Sequence, residues 1–125
     1  MKTNEIKVNI DIPVEAVFEF TLEPANTSRW IDAIEEETVN TKQIGLGTIY
    51  SNSYGNLEVT DYELNRFFEL TNQKTGYQCS YSYKKISDDA TQITYFECMQ
   101  DGSELIEPME QKSFQKLKEL LEENN

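Results

Sequence analysis

With 125 residues, 38% of them hydrophobic and 11% aromatic, the chain is long enough to form one domain around an apolar core. Eleven Lys and Arg stand against 23 Asp and Glu, and the formal charge of -12 repels phosphate backbones and anionic headgroups, which argues against nucleic acid as a partner. No stretch approaches the roughly 20 apolar residues of a membrane helix, so no membrane insertion is expected, and Met1 to Glu5 has no apolar leader, which points to the cytoplasm.

Glu5 to Ile12 alternates, with Ile6, Val8, Ile10 and Ile12 on one face, the pattern of a half-buried strand. Pro13 suits a first helical turn, and Val14, Val17, Phe18 and Leu22 recur at helical spacing, so a helix over Pro13 to Leu22 is predicted. Pro24 breaks it, and Ala25 to Trp30 reads as a second short helix that delivers Trp30 and Ile31 to the core. Strand-like segments then follow over Glu35 to Thr41, Thr48 to Tyr54, Leu57 to Glu63, Phe67 to Gln73, Tyr77 to Ile86 and Thr91 to Met99. Turn residues separate them, among them Gly45-Leu46-Gly47, Gly55-Asn56 and Ser87-Asp88-Asp89. Such short connections imply an antiparallel meander. At the close, Ile106, Met109, Phe114, Leu117, Leu120 and Leu121 form a helical apolar stripe, with Pro108 near its start. A helix of this kind must dock on the concave face of the sheet, and such a fold commonly leaves an apolar cleft between the two.

The ordered set Val8-Asn9-Ile10-Asp11-Ile12-Pro13-Val14-Glu15-Ala16-Val17-Phe18-Glu19-Phe20, Trp30, Ile44-Gly45-Leu46-Gly47-Thr48, Val59-Thr60-Asp61-Tyr62-Glu63-Leu64-Asn65-Arg66, Ala90-Thr91-Gln92-Ile93-Thr94 and Leu117-Lys118-Glu119-Leu120-Leu121-Glu122 spans nearly the whole chain. It resembles the START-like (SRPBCC) superfamily, in its polyketide cyclase/dehydrase branch. The resemblance implies an α+β helix-grip fold over residues 1–125: a curved antiparallel sheet of about seven strands around a long C-terminal helix, with two short helices between the first two strands. It also implies a container for a small hydrophobic molecule, lipid-like or aromatic. An enzyme of the cyclase/dehydrase kind and a co-chaperone-like interaction module are the alternatives that it offers. The segment Gln100 to Glu107 is shorter than the glycine-containing loop that relatives often carry there.

The absence of His removes Ser-His and Cys-His nucleophiles and His-bearing metal triads, which leaves carboxylates and tyrosines for any acid-base work. Tyr77, Cys79, Tyr81 and Tyr83 share one face of a strand, and Tyr50 and Tyr54 share one face of another. Pointed inward, these phenols either contact an aromatic ligand or fill the core with their hydroxyls satisfied internally. Glu97, set among Tyr95, Phe96 and Cys98, is the leading general-base candidate if it faces inward and a solvated residue if it does not. A catalytic site would therefore use Glu97, Tyr81 and Tyr83. The ligand-binding candidates are Trp30, Tyr50, Tyr54, Tyr77, Tyr81, Tyr83, Tyr95, Phe114 and Leu117, with Trp30 otherwise closing one end of the core.

No cofactor or metal is expected. Glu35-Glu36-Glu37, read as strand, would alternate faces and fail to converge on one ion. Arg29 and Arg66 are too far apart in sequence to suggest a polyphosphate clamp, and Arg66 reads as pairing with local carboxylates rather than with an acidic ligand. Asp11, Asp32 and Asp61 read as solvated, turn or capping residues. Cys79 and Cys98 read as reduced, although a tight turn at Ser87 to Ala90 would set position 79 opposite 98 and bring a cross-strand bond within reach. A monomer or weak homodimer is expected.

Overall fold

The computed structural model describes residues 1–123. The elements run β1 (Thr3–Ile10), α1 (Val14–Leu22), α2 (Pro24–Trp30), β2 (Thr38–Val39), β3 (Ile49–Asn52), β4 (Gly55–Glu63), β5 (Phe67–Thr71), β6 (Tyr77–Ser87), β7 (Ala90–Met99) and α3 (Gln111–Glu123). All seven strands form one antiparallel sheet in the order β1-β7-β6-β5-β4-β3-β2, a meander whose last strand pairs with the first.

Local chemistry sets the first half. In β1, Ile6, Val8 and Ile10 are buried while Glu5, Lys7 and Asn9 are exposed, as period-two patterning demands. Ile12 is also buried, but beyond the end of the strand, where its carbonyl accepts the Thr91 hydroxyl at 2.8 Å. The Pro13 carbonyl accepts the first N–H groups of α1, from Ala16 and Val17, both at 3.1 Å. Pro24 has no N–H with which to extend α1, and it opens α2 while the Glu23 side chain accepts the Ala25 N–H.

Two sequence expectations need correction. Glu35 to Thr41 is not a full strand, since only Thr38 and Val39 pair, with Ser51 and Tyr50. Glu37 leaves the strand path instead: it accepts the Thr27 hydroxyl at 2.6 Å and the Asn52 amide at 2.9 Å. The final helix begins at Gln111, so Ile106 and Met109 belong to the loop before it, and Ile106 is 90% exposed. Pro108 disfavours helical geometry at the residue before it, which keeps that stretch open.

The β6–β7 hairpin corrects a third. Its tip pairs Ser87 with Ala90, but a bulge between Lys85 and Ser87 moves the register by one residue. Cys79 therefore faces Glu97, Gln78 faces Cys98, and both cysteines are free. Opposed residues share a face, so the same bulge aligns Cys79, Tyr81 and Tyr83 with Glu97, Tyr95 and Ile93 on the concave side. Facing them, α3 buries Phe114, Leu117 and Leu121 and packs against β1 and α2. Lys118 ties the helix down by donating to the Asn9 carbonyl at 2.9 Å, and Glu122 accepts the Asp11 N–H at 2.9 Å.

Asn65, between β4 and β5, is the one non-glycine residue with positive φ among those described, at 62°. Gly tolerates this conformation and a β-carbon does not favour it. Asn65→Ala is expected to cost about 1 kcal/mol in urea unfolding and Asn65→Gly within about 0.5 kcal/mol of wild type; equal costs would show that the turn does not depend on this conformation. Beside it Arg66 is exposed and lies 3.4 Å from Glu63, a local surface pair.

Candidate functional site

The bulge that sets the register also determines where Glu97 goes. Only 1% exposed, it collects four donors, one each from β1, β6, β7 and the loop before α3. The Tyr77 hydroxyl donates to Oε1 at 2.7 Å, and the Tyr95 hydroxyl lies 3.3 Å from the same oxygen and 2.9 Å from Tyr77. On Oε2, the Asn4 amide donates at 2.7 Å and the Met109 N–H at 2.6 Å. Asn4 also donates to the Met109 carbonyl at 2.9 Å, so β1, β7 and the loop before α3 are fastened at one carboxylate. Four donors offset the desolvation of this charge and leave its oxygens engaged. Burial pushes the phenols of Tyr77 and Tyr95 well above their ordinary value, so both are donors at neutral pH.

Above this carboxylate lies a cavity of about 850 Å³ between the sheet, the end of α2 and the loop that leads to α3. Trp30, Phe68, Leu70, Tyr81, Tyr95 and Leu105 supply much of its apolar wall. The aromatic side chains interlock: Phe68 and Tyr81 stack with centroids 4.6 Å apart, and Phe114 packs 5.0 Å from Trp30 and 5.2 Å from Tyr95. At the rim, Tyr54 is 54% exposed and its hydroxyl donates to Glu107 Oε2 at 3.0 Å, so the β3–β4 turn touches the loop before α3.

The candidate residues divide by position. Trp30, Tyr50, Tyr54, Tyr77, Tyr81, Tyr95 and Glu97 line the cavity. Tyr83, Phe114 and Leu117 sit behind it in the core, and the Tyr83 hydroxyl is hydrogen-bonded to the Thr21 hydroxyl. Tyr50 donates its hydroxyl to the Leu22 carbonyl at 2.5 Å. Tyr81 differs from all of these: it is 6% exposed and lines the cavity, yet its hydroxyl has no hydrogen-bond partner among the described residues. The Trp30 indole N–H is buried without an acceptor among the described residues.

Sequence reasoning missed Asn4, Thr27, Glu37 and Asn52. Asn4 had a signal, because it continues the inward alternation of Ile6, Val8 and Ile10. Glu37 had none, being the last of three identical residues. It too lines the cavity, with no Lys or Arg paired to it among the described residues. Desolvation raises its carboxyl above the ordinary 4.5, against the lowering effect of Thr27 and Asn52. The fold thus prefers the protonated form, and this stabilisation is complete below 4.5 and lost as pH rises through the folded value. Glu37→Gln, uncharged throughout, is expected to unfold at a higher temperature than wild type at neutral pH, with the gap closing in acid. A less stable variant at neutral pH would show that the charged form is the preferred one.

Burial, with the Glu97 charge opposite it, pushes the Cys79 thiol up to about 12. Cys98 is half-buried on the other face. A thiol-reactive disulfide reagent should therefore modify Cys98 in the native protein and Cys79 only on unfolding; rapid native modification of both would contradict the burial of Cys79.

No family model matches the chain, and no curated protein matches its sequence. Similarity to solved structures is extensive. A conserved protein of unknown function from Enterococcus faecalis, EF2215, superposes with a TM-score of 0.71 at 12% identity, over 94% of this chain and 70% of its own. The Aha1 dimer from Colwellia psychrerythraea gives 0.68 at 13% identity, over 98% of this chain and 97% of its own. The chain has a START-like, helix-grip fold. An HSP90 activator from Plasmodium falciparum, PFC0360w, gives 0.63 at 12% identity, over 79% of this chain and 74% of its own. At these identities the likeness extends to the fold alone. Among the described residues, this helix-grip chain has no helix long and apolar enough to cross a membrane.

Proposed function

We propose that the protein is a single-domain cytoplasmic container for a small apolar molecule, including aromatic ones, that it holds without transforming. The observation that carries this reading is the cavity of about 850 Å³, within the range of drug-sized ligand sites and walled largely by aromatic and aliphatic side chains. A cyclase/dehydrase mechanism through Glu97, Tyr81 and Tyr83 fits less well. The Glu97 oxygens are already engaged by four donors and the Tyr83 hydroxyl by Thr21, which leaves Tyr81 alone free.

Native mass spectrometry of the purified protein, followed by organic extraction, tests the proposal. A small apolar compound at one per chain is expected, and the same spectrum separates a monomer from a weak homodimer. An empty protein that takes up no member of a hydrophobic library would overturn the container reading.

The similarity to an HSP90 activator favours one other reading, an interaction module working through its acidic surface. Binding of that kind weakens steeply with salt, whereas filling of an apolar cleft does not.

A further inference from the structure

The charged groups around the cavity are strongly one-sided. Asp32, Glu37, Glu97, Glu107 and Glu110 line it, against one cation, Lys112, which lies 3.6 Å from Glu110. Lys116 neutralises Asp32 at 2.8 Å, Tyr54 donates to Glu107, and Glu97 has its four donors. Glu37 is left with two neutral donors, Thr27 and Asn52, and no counter-ion, although it is largely withdrawn from solvent. Burial, with the Glu37 charge adding to it, keeps the Tyr50 and Tyr81 phenols protonated.

A second observation is independent of charge. The Tyr81 hydroxyl, on a side chain more than nine-tenths buried, has no partner, and its ring is stacked on Phe68 in the cavity wall. Its oxygen opens on the cavity, where a ligand bearing a polar group would find a hydrogen-bond partner. The protein thus supplies an aromatic wall, a free hydroxyl and an uncompensated carboxylate at one site. An acidic ligand would meet repulsion from the carboxylates, and a neutral one would leave Glu37 desolvated and unpaired.

We infer that the natural ligand is an aromatic or arylalkyl amine, its ring against Trp30, Phe68 and Tyr81 and its ammonium group paired with Glu37. This rests on the container reading and names the ligand class for the same cavity. An ammonium supplies the missing counter-ion and the donors for the remaining Glu37 lone pairs, and the hydroxyl of Tyr81 can accept from it or donate to a ring substituent.

The test uses three probes of matched shape, naphthylethylamine, naphthylethanol and naphthylacetate, titrated into the full chain at neutral pH. Calorimetry gives affinities, and the emission of Trp30, the one tryptophan of the chain and a residue of the cavity wall, reports occupancy. The amine is expected to bind at least about tenfold more tightly than the alcohol, and the acetate more weakly than either. In Glu37→Gln the advantage of the amine over the alcohol should vanish while the affinity for the alcohol holds; Glu107→Gln, at the rim, should retain that advantage. Equal binding of all three probes, or a tighter acetate, overturns the amine assignment and leaves the container standing. No binding by any probe overturns both. The wild-type ranking decides the question without relying on either variant to fold.

Discussion

Glu97→Ala is expected to lower the unfolding free energy by about 3 kcal/mol, because it strands the Met109 N–H, leaves the Asn4 amide with the Met109 carbonyl alone and leaves the Tyr77 and Tyr95 hydroxyls only each other. Glu97→Gln should cost nearer 1 kcal/mol. Its oxygen can still accept from Asn4 and Met109, and its amide can donate to the tyrosine oxygens, since a hydroxyl accepts as readily as it donates. Urea unfolding with an unchanged denaturant slope would give both values. Equal losses for Gln and Ala would mean that the negative charge matters rather than the hydrogen-bond geometry. A loss below about 1 kcal/mol for Ala would dismiss the fastening role altogether.

The second large effect concerns the helix. Phe114 is fully buried against Trp30 and Tyr95 on the face that α3 presents to the sheet. Phe114→Ala should cost about 3–5 kcal/mol, since a rigid sheet and a helix tied down by Lys118 and Glu122 cannot collapse into the space. Phe114→Leu should cost less than about 1.5 kcal/mol. Thermal unfolding measures both, and in the Ala variant the emission of Trp30 should move to longer wavelength as water reaches the ring. A small loss with unshifted emission would show that the helix is held elsewhere along its length.

Element order was legible because each signal was local. The alternation of β1, the prolines at 13 and 24 and the turn residues between strands act through neighbours a few positions away. The strand register was not legible. A tight tip at Ser87–Ala90 is compatible with Cys79 opposite Cys98, and only the bulge beside that pair, between Lys85 and Ser87, decides otherwise. The start of α3 was obscured for a related reason: Ile106 and Met109 fall at helical spacing by coincidence, and the Met109 N–H finds its acceptor in a carboxylate on β7. Glu37 was hidden by composition. Three identical residues in sequence cannot show which one turns inward, because Thr27 and Asn52, which hold it, lie 10 and 15 positions away.

The β6–β7 bulge has a consequence for how this protein can vary by inheritance. Ile86, between Lys85 and Ser87, is the extra residue of the bulge, and its loss leaves Ser87 opposite Ala90 and Lys85 opposite Thr91, so that Cys79 still faces Glu97. An exposed hairpin end that sheds one codon would thus keep its aromatic interior, and chain length there is free to drift while the residues presented to the cavity stay the same.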